Sequence, residues 1–245
     1  SIQLYSTDAV FFNCEYSETK WIVVGVVYTC TAEISTSEIM YDVQDVRGHH
    51  LQGKANSHVE VLDISNQYLP KLPRDIDRFF PNLKLIRLTD VGLKSISSHD
   101  LRPFKKLRVF SSWHNEVKVL HSDLFKHSKH IELIRFNNNS IEIVGENFFS
   151  GLKFLNEVDL RMNPCVNTQA MTRQQVEQLE TEVWTHCPAP FSRDIEATKK
   201  PSKVNESCNL RCSLNDETDK LKLQIAEQGE KIKALEKAIR GILLG

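Results

Sequence analysis

The stretch Val59-Glu-Val-Leu62-Asp-Ile64-Ser-Asn-Gln67-Tyr-Leu69 returns 24 residues later as Leu83-Lys-Leu-Ile86-Arg-Leu88-Thr-Asp-Val91-Gly-Leu93. It returns again from Leu107 (Phe110, Asn115, Val117), from Ile131 (Ile134, Phe136, Asn139, Ile141) and from Leu155 (Val158, Leu160, Asn163). The starts 59, 83, 107, 131 and 155 are each 24 apart. Amphipathicity alone does not keep so many positions in register over five copies. Within each copy the apolar residues alternate, which reads as a short strand with one buried face.

This period and spacing are the signature of a leucine-rich repeat solenoid, an α/β architecture with a parallel β-sheet on its concave face. The second half of each copy keeps its own anchors: Leu72, Ile96, Leu120 and Val144 align, as do Ile76, Leu124 and Phe148, and Phe80, Phe104 and Leu152. One copy cannot bury these groups alone, whereas stacked copies share a core. Asn115, Asn139 and Asn163 are expected to turn inward and bond the backbone of adjacent turns, because a buried amide must be paired. Gln67 and Val91 stand where the Asn is missing, so an incomplete ladder is expected in the first two turns. Ser112 and Asp100 fall where other copies are apolar, which predicts a weak third turn.

Residues that leave the strands on the concave side do not fill the core and are free for recognition. One row is Asp63, Arg87, Ser111, Arg135 and Asp159, the next Ser65, Thr89, Trp113, Asn137 and Arg161, and a third Asn66, Asp90, His114, Asn138 and Met162. Trp113 among Arg87, Arg135 and Arg161 is the aromatic-plus-arginine grouping that interfaces favour. The candidate partner-binding residues are Asp63, Arg87, Trp113, His114, Arg135, Asn137, Asp159 and Arg161. A plain solvated face carrying one indole is the competing reading.

Net charge is −1, and acids are interspersed with bases, which argues against nucleic acid as a partner. No apolar run approaches a membrane span; Trp21 to Tyr28 is only strand-sized. The first residue is Ser rather than Met, which suggests a processed, secreted protein. Six cysteines suit an oxidising compartment. Sequons at Asn138 and Asn205 are candidate glycosylation sites, with unmodified surface asparagines as the alternative.

Residues 1–52 read as an N-terminal cysteine cap, in which Cys14 and Cys30 can staple two β-rich segments, followed by a degenerate first repeat over 41–51. Five clear repeats occupy 53–164. Residues 165–190 read as a helical cap: Thr172 and Gln175 open a helix, Val176, Leu179 and Val183 mark its buried face, and Cys187 returns to Cys165. Residues 191–213 form a linker holding Cys208 and Cys212. Residues 214–245 carry a coiled-coil seam of Leu214, Leu221, Ile225, Ile232, Leu235, Ile239 and Ile242. Cys208 and Cys212 are candidates for an interchain disulfide, with a local bond between them as the alternative.

His127-x-x-His130 lacks further ligands at suitable spacing, so no metal is expected. No phosphate loop or nucleophile elbow is present, and neither an enzyme nor a cofactor is expected.

The repeat block, a cysteine pair at each end, the double cysteine Cys208 and Cys212 and the terminal heptads together resemble the mosquito leucine-rich immune proteins. The resemblance covers nearly the whole chain, which would be a short member. It implies a haemolymph protein of innate immunity, a homo- or heterodimer joined through those cysteines and the coil, and a complement-like thioester protein as the partner. A leucine-rich scaffold of extracellular matrix or development is the alternative.

Overall fold

The computed structural model describes residues 10–36 and 42–188. Cys208, Cys212, Asn205, the linker expected over 191–213 and the coiled coil expected over 214–245 lie outside the described residues.

Among the described residues, strands β1 (Val10–Trp21), β2 (Gly25–Thr36), β3 (Val43–Arg47), β4 (Val61–Ser65), β5 (Leu85–Thr89), β6 (Val109–Ser111), β8 (Leu133–Arg135), β10 (Glu157–Asp159) and β11 (Gln169–Ala170) form one sheet in the order β11-β10-β8-β6-β5-β4-β2-β1-β3. From β2 to β10 the neighbours are parallel. Val61, Leu85, Val109, Leu133 and Glu157 stand side by side, so the 24-residue period has become the register of the sheet. A separate two-stranded sheet joins β7 (Val119–Leu120) and β9 (Ile143–Val144) on the return segments, where α1 (Ile76–Phe79) is a single turn. This is a leucine-rich-repeat-like fold.

The alternation sends Leu62, Ile64, Ile86, Leu88, Phe110, Ile134, Phe136, Val158 and Leu160 inward, where they meet Leu72, Ile96, Leu120 and Val144 in one buried cluster. Full burial of one such side chain contributes about 1.5–3 kcal/mol. Asp100, expected to weaken the stack, does not enter the core. The register slips by one, Leu101 is buried instead, and Asp100 accepts hydrogen bonds from the backbone N–H and hydroxyl of Ser97 at 2.8 and 2.6 Å. Ser112 is buried but paired, accepting from Asn115 Nδ2 at 3.1 Å.

The expected amide ladder forms. Asn115 Oδ1 accepts from the N–H of Val91 and of Leu93, both at 3.0 Å, and its Nδ2 donates to the Leu88 carbonyl at 2.9 Å. Asn139 and Asn163 repeat the pattern one and two turns later. The first two turns differ from expectation. Gln67, one methylene longer, reaches back to β2, accepting from Ile34 N at 2.6 Å and donating to the Ala32 carbonyl at 2.8 Å. Only Val91 leaves a gap, and there its backbone carbonyl takes the N–H of Leu69 at 2.7 Å.

The segment expected as a first turn is placed elsewhere. β3 lies at the far edge, parallel to β1, and β2 of the hairpin pairs directly with β4 through Thr29–Val61, Cys30–Leu62 and Thr31–Asp63. The 12-residue hairpin strands bring enough paired backbone to cover the end of the stack that a short degenerate copy would leave open. The Cys14–Cys30 disulfide joins the hairpin strands with Cα atoms 5.1 Å apart. Tyr16 stacks on Tyr28 with centroids 5.5 Å apart and donates its hydroxyl to Asn56 Oδ1 at 2.7 Å. Burial, and then Tyr28, pushes the Tyr16 phenol up to about 12.

At the other end β11 turns antiparallel to β10, and α2 (Arg173–His186) follows. Thr172 caps it, accepting from Gln175 N at 3.3 Å, while Gln175 Oε1 takes the N–H of Met171 at 2.7 Å rather than that of Thr172 itself. Val176, Leu179 and Val183 are buried as the spacing predicts, and Cys165–Cys187 closes the cap.

Candidate functional site

The sheet face turned away from the core carries the candidate residues, because every second strand position must leave on that side. Its first row was missed by the sequence reading. Val61, Leu85, Val109 and Leu133 form an apolar stripe, packed together with Val27 and covered in part by Trp21, Val23 and Val24 of the β1–β2 turn. The signal was present: the residue before the first strand leucine is itself apolar in four copies at 24-residue spacing.

The turn over this stripe is tight. Val24 N donates to the Ile22 carbonyl at 2.9 Å, and Val23 between them has φ 76°. A three-residue turn centred on a β-branched residue at positive φ is strained, and such strain persists only where surrounding structure holds it. Here the stripe holds it: Val23 and Val24 pack inward while Ile22 is left 69% exposed.

The second and third rows lie beside the stripe. Arg87 sits with its guanidinium 5.4 Å from the Trp21 ring centroid, 3.4 Å from Asp63 and donating to Thr89 Oγ1 at 3.1 Å. Arg135 binds Glu157 at 2.8 Å. Arg161 makes a two-pronged contact with Asp159 at 2.9 and 2.7 Å, which raises its already high pKa. Each arginine is therefore oriented before any partner arrives. Asp63 and Asp159 do not present themselves as expected. They are 8% and 3% exposed and lie beneath their arginines, bracing them. Burial raises the Asp63 pKa, Arg87 opposes that shift, and its Oδ1 has no hydrogen-bond partner.

Trp113 is 46% exposed, and Asn137 holds the equivalent repeat position one turn on. Together with Trp21, Ile22, Arg87 and Arg135 they line a cavity of about 530 Å³ on this face. That volume falls within the usual range for ligand sites of roughly 300–1,000 Å³. Its wall is apolar on the stripe side and polar on the Trp113 side. Three arginines are offset by Asp63, Glu157 and Asp159, so the groove carries shape and hydrogen-bonding capacity rather than a strong net charge.

His114 and Asn138 belong to a different feature. Asn66, Asp90, His114, Asn138 and Met162, each 24 residues apart, have φ between 53° and 59°. Each of β4, β5, β6, β8 and β10 is thus followed by one left-handed residue. His114 Nδ1 lies 3.7 Å from Asp90 in that turn, at the edge of the groove rather than within it. Asn138 is partly exposed in the same turn.

No group of three or more His, Cys, Asp or Glu side chains suited to a metal ion occurs among the described residues. His130 stacks on Phe154, 5.5 Å between centroids, rather than converging with His127. No helix among the described residues is long and apolar enough to cross a membrane.

No protein-family model matches this chain, and no curated protein matches it. Among the solved structures similar to it in part, two match about half of it. Both are of the Toll–Spatzle complex, described as a molecular hub in Drosophila development and innate immunity. The glycosylated form matches at 22% identity over 46% of this chain and 15% of that chain, with a TM-score of 0.42. The other matches at 22% identity over 50% of this chain and 17% of that chain, with the same TM-score of 0.42. The chain thus spans less than a fifth of the length of either solved chain.

Proposed function

We propose that this chain is a secreted, non-enzymatic protein-binding module. In this reading the stacked copies form a solenoid whose concave sheet face grips a partner between the β1–β2 turn and the Arg87–Trp113–Arg135 surface. One observation carries it: an apolar stripe, a half-exposed indole and three pre-oriented arginines line a single groove. Interface anchors are of this kind, with aromatic and arginine side chains in a partly desolvated setting. Paired guanidiniums lose little rotamer freedom on binding, which lowers the cost of association.

The role belongs to innate immunity, with a complement-like thioester protein as the partner. The resemblance of nearly the whole chain to mosquito leucine-rich immune proteins supports that reading. Two copies, alike or different, join through Cys208 or Cys212 and the heptads of 214–245. Two intrachain disulfides suit the oxidising environment that such a protein meets outside the cell.

The test is binding of a purified thioester protein by the wild type, by Trp113→Ala and by Arg135→Ala. Each substitution should weaken binding by about 1–3 kcal/mol, as truncating an interface anchor does. Wild-type affinity in both variants, with thermal stability unchanged, moves the contact off this face. Absence of binding by the wild type removes the partner assigned here.

A further inference from the structure

A second surface lies on the return segments, outside the groove. At some equivalent positions neighbouring turns set opposite charges against each other. Glu60 pairs with Lys84, and Arg108 holds Glu132 through two bonds at 2.5 and 3.0 Å. Each of these pairs is 24 residues apart, so opposite charges meet across the stack. The segments entering β6, β8 and β10 carry a longer run of one sign. Lys105, Lys129 and Lys153 occupy one repeat position in three successive turns, and all are exposed. Arg102 and Lys126 share a second position, also exposed.

The turns are stacked in register here. Ser128 Oγ donates to the Phe104 carbonyl at 3.5 Å, and Lys106 Nζ donates to Asn82 Oδ1 at 2.6 Å, each across 24 residues. Lys105 and Lys129 adjoin the first of these contacts. Like charges in register on neighbouring turns repel and cost stability, as they do on adjacent strands. Among the described residues Arg102, Lys105, Lys129 and Lys153 make no salt bridge. The nearby acids are already engaged: Asp100 by Ser97, and Asp123 by Lys126 at 2.7 Å and Ser98 at 2.8 Å. His127 stands among these cations, and its pKa is lowered by desolvation and then by Lys105, Lys126, Arg102 and Lys129. Nothing in the fold asks for this column, and a cost without a structural return points to an external ligand.

We propose that Lys105, Lys129 and Lys153, with Arg102 and Lys126 beside them, form a docking ridge for a linear sulfated polysaccharide. The cations recur at the spacing of stacked turns, so they follow a line, which matches a chain of anionic groups better than a point anion. At the end of the line Phe154 is 52% exposed with His130 stacked on it, a flat platform on which the apolar face of a sugar ring can rest. Ammonium groups are compact point charges, suited to sulfates presented at varied angles. The ridge would bring the protein to a polyanionic surface while the groove stays open to its own partner.

Immobilised heparin is the probe, with the full chain applied at low salt and eluted with NaCl. The triple variant Lys105→Ser, Lys129→Ser, Lys153→Ser should elute at lower salt, and its solution affinity for heparin should fall at least 10-fold. Removing three phosphate-like contacts should reduce the slope of log affinity against log salt by roughly two to three. A control variant Lys20→Ser, Lys94→Ser, Lys118→Ser, equal in charge change, should stay within twofold of wild type, as should Trp113→Ala. All six lysines and the indole replaced in this comparison are exposed, and near-ultraviolet circular dichroism verifies the fold. Equal losses in the triple and control variants would overturn the ridge. So would competition by fully desulfated heparin as strong as by heparin, tighter binding to duplex DNA, or tighter binding to phosphatidylserine vesicles.

Discussion

Met162 holds φ 59° at a position where the equivalent residues are Asn66, Asp90, His114 and Asn138. Asparagine and aspartate tolerate the left-handed region through short polar side chains, whereas a long unbranched side chain gains nothing there. The Met162 side chain is exposed, and its N–H donates to Asn167 Oδ1 at 2.8 Å, a bond that any replacement but proline keeps. Met162→Gly should therefore raise stability by about 0.5–1 kcal/mol, read as a shift in the urea midpoint. A lower midpoint would mean that the backbone is not held at positive φ. Asp63 gives a second test. Its folded pKa is raised by burial, so the folded state binds its proton more tightly than the unfolded state does. Such a group lowers stability as pH climbs from the unfolded carboxylate range through the higher folded value. Asp63→Asn removes that slope, so the variant should gain on wild type as pH rises above about 4, the unfolded carboxylate range. A stability difference that is flat with pH would show that Asp63 titrates alike in both states.

At the scale of elements, the amide ladder is what ties one turn to the next. Asn139→Ala strands the N–H of Val117 and the carbonyl of Ser112, both inside the stack. Leaving such groups unpaired costs about 1–3 kcal/mol each, so chemical denaturation should register a loss of roughly that size or more. Gln67→Ala removes the corresponding bonds to Ala32 and Ile34 of β2. Its effect should be local, with faster amide exchange in the hairpin and little change in β6 to β10. Uniform acceleration along the sheet would mean that the cap and the repeats unfold as one unit. Helix α2 is held by Val176, Leu179 and Val183, by Arg173 Nη1 donating to the Leu152 carbonyl at 2.7 Å, and by Glu180 accepting from Phe149 N at 2.9 Å. Leu179→Ala should cost about 2–5 kcal/mol, the usual range for emptying a buried leucine site.

At the scale of the molecule, the question is how many chains act together. A bond through Cys208 or Cys212 predicts a dimer band on non-reducing electrophoresis that Cys208→Ser with Cys212→Ser converts to monomer. A monomer band in the wild type without reductant removes the covalent dimer. If the bond forms, two grooves and two basic ridges are tethered together. A polymer that spans both ridges then gains from effective concentration, by as much as 10²–10⁴ where the geometry allows it.

Much of the fold was legible because a 24-residue period in the leucines has one cooperative solution: in-register strands that share a core. The strand positions, the Asn ladder, the two cysteine staples and the buried face of α2 all follow from local pattern. Other features required coordinates. The place of β3 depends on which strand the hairpin offers to β4, and pairing partners are not written in either strand alone. Alternation places Asp63 and Asp159 on the open face, which predicts contact residues. Only the packed arginines above them and the sheet around them decide that they are buried. The apolar stripe under Trp21 and Val23 was spelled out in the period, but its cover comes from residues some 40 to 110 positions away. Periodicity fixes what each turn shows to its neighbour, because stacking repeats the same contact; what caps, covers or braces a face is a non-repeating, long-range contact, and only the folded chain specifies it.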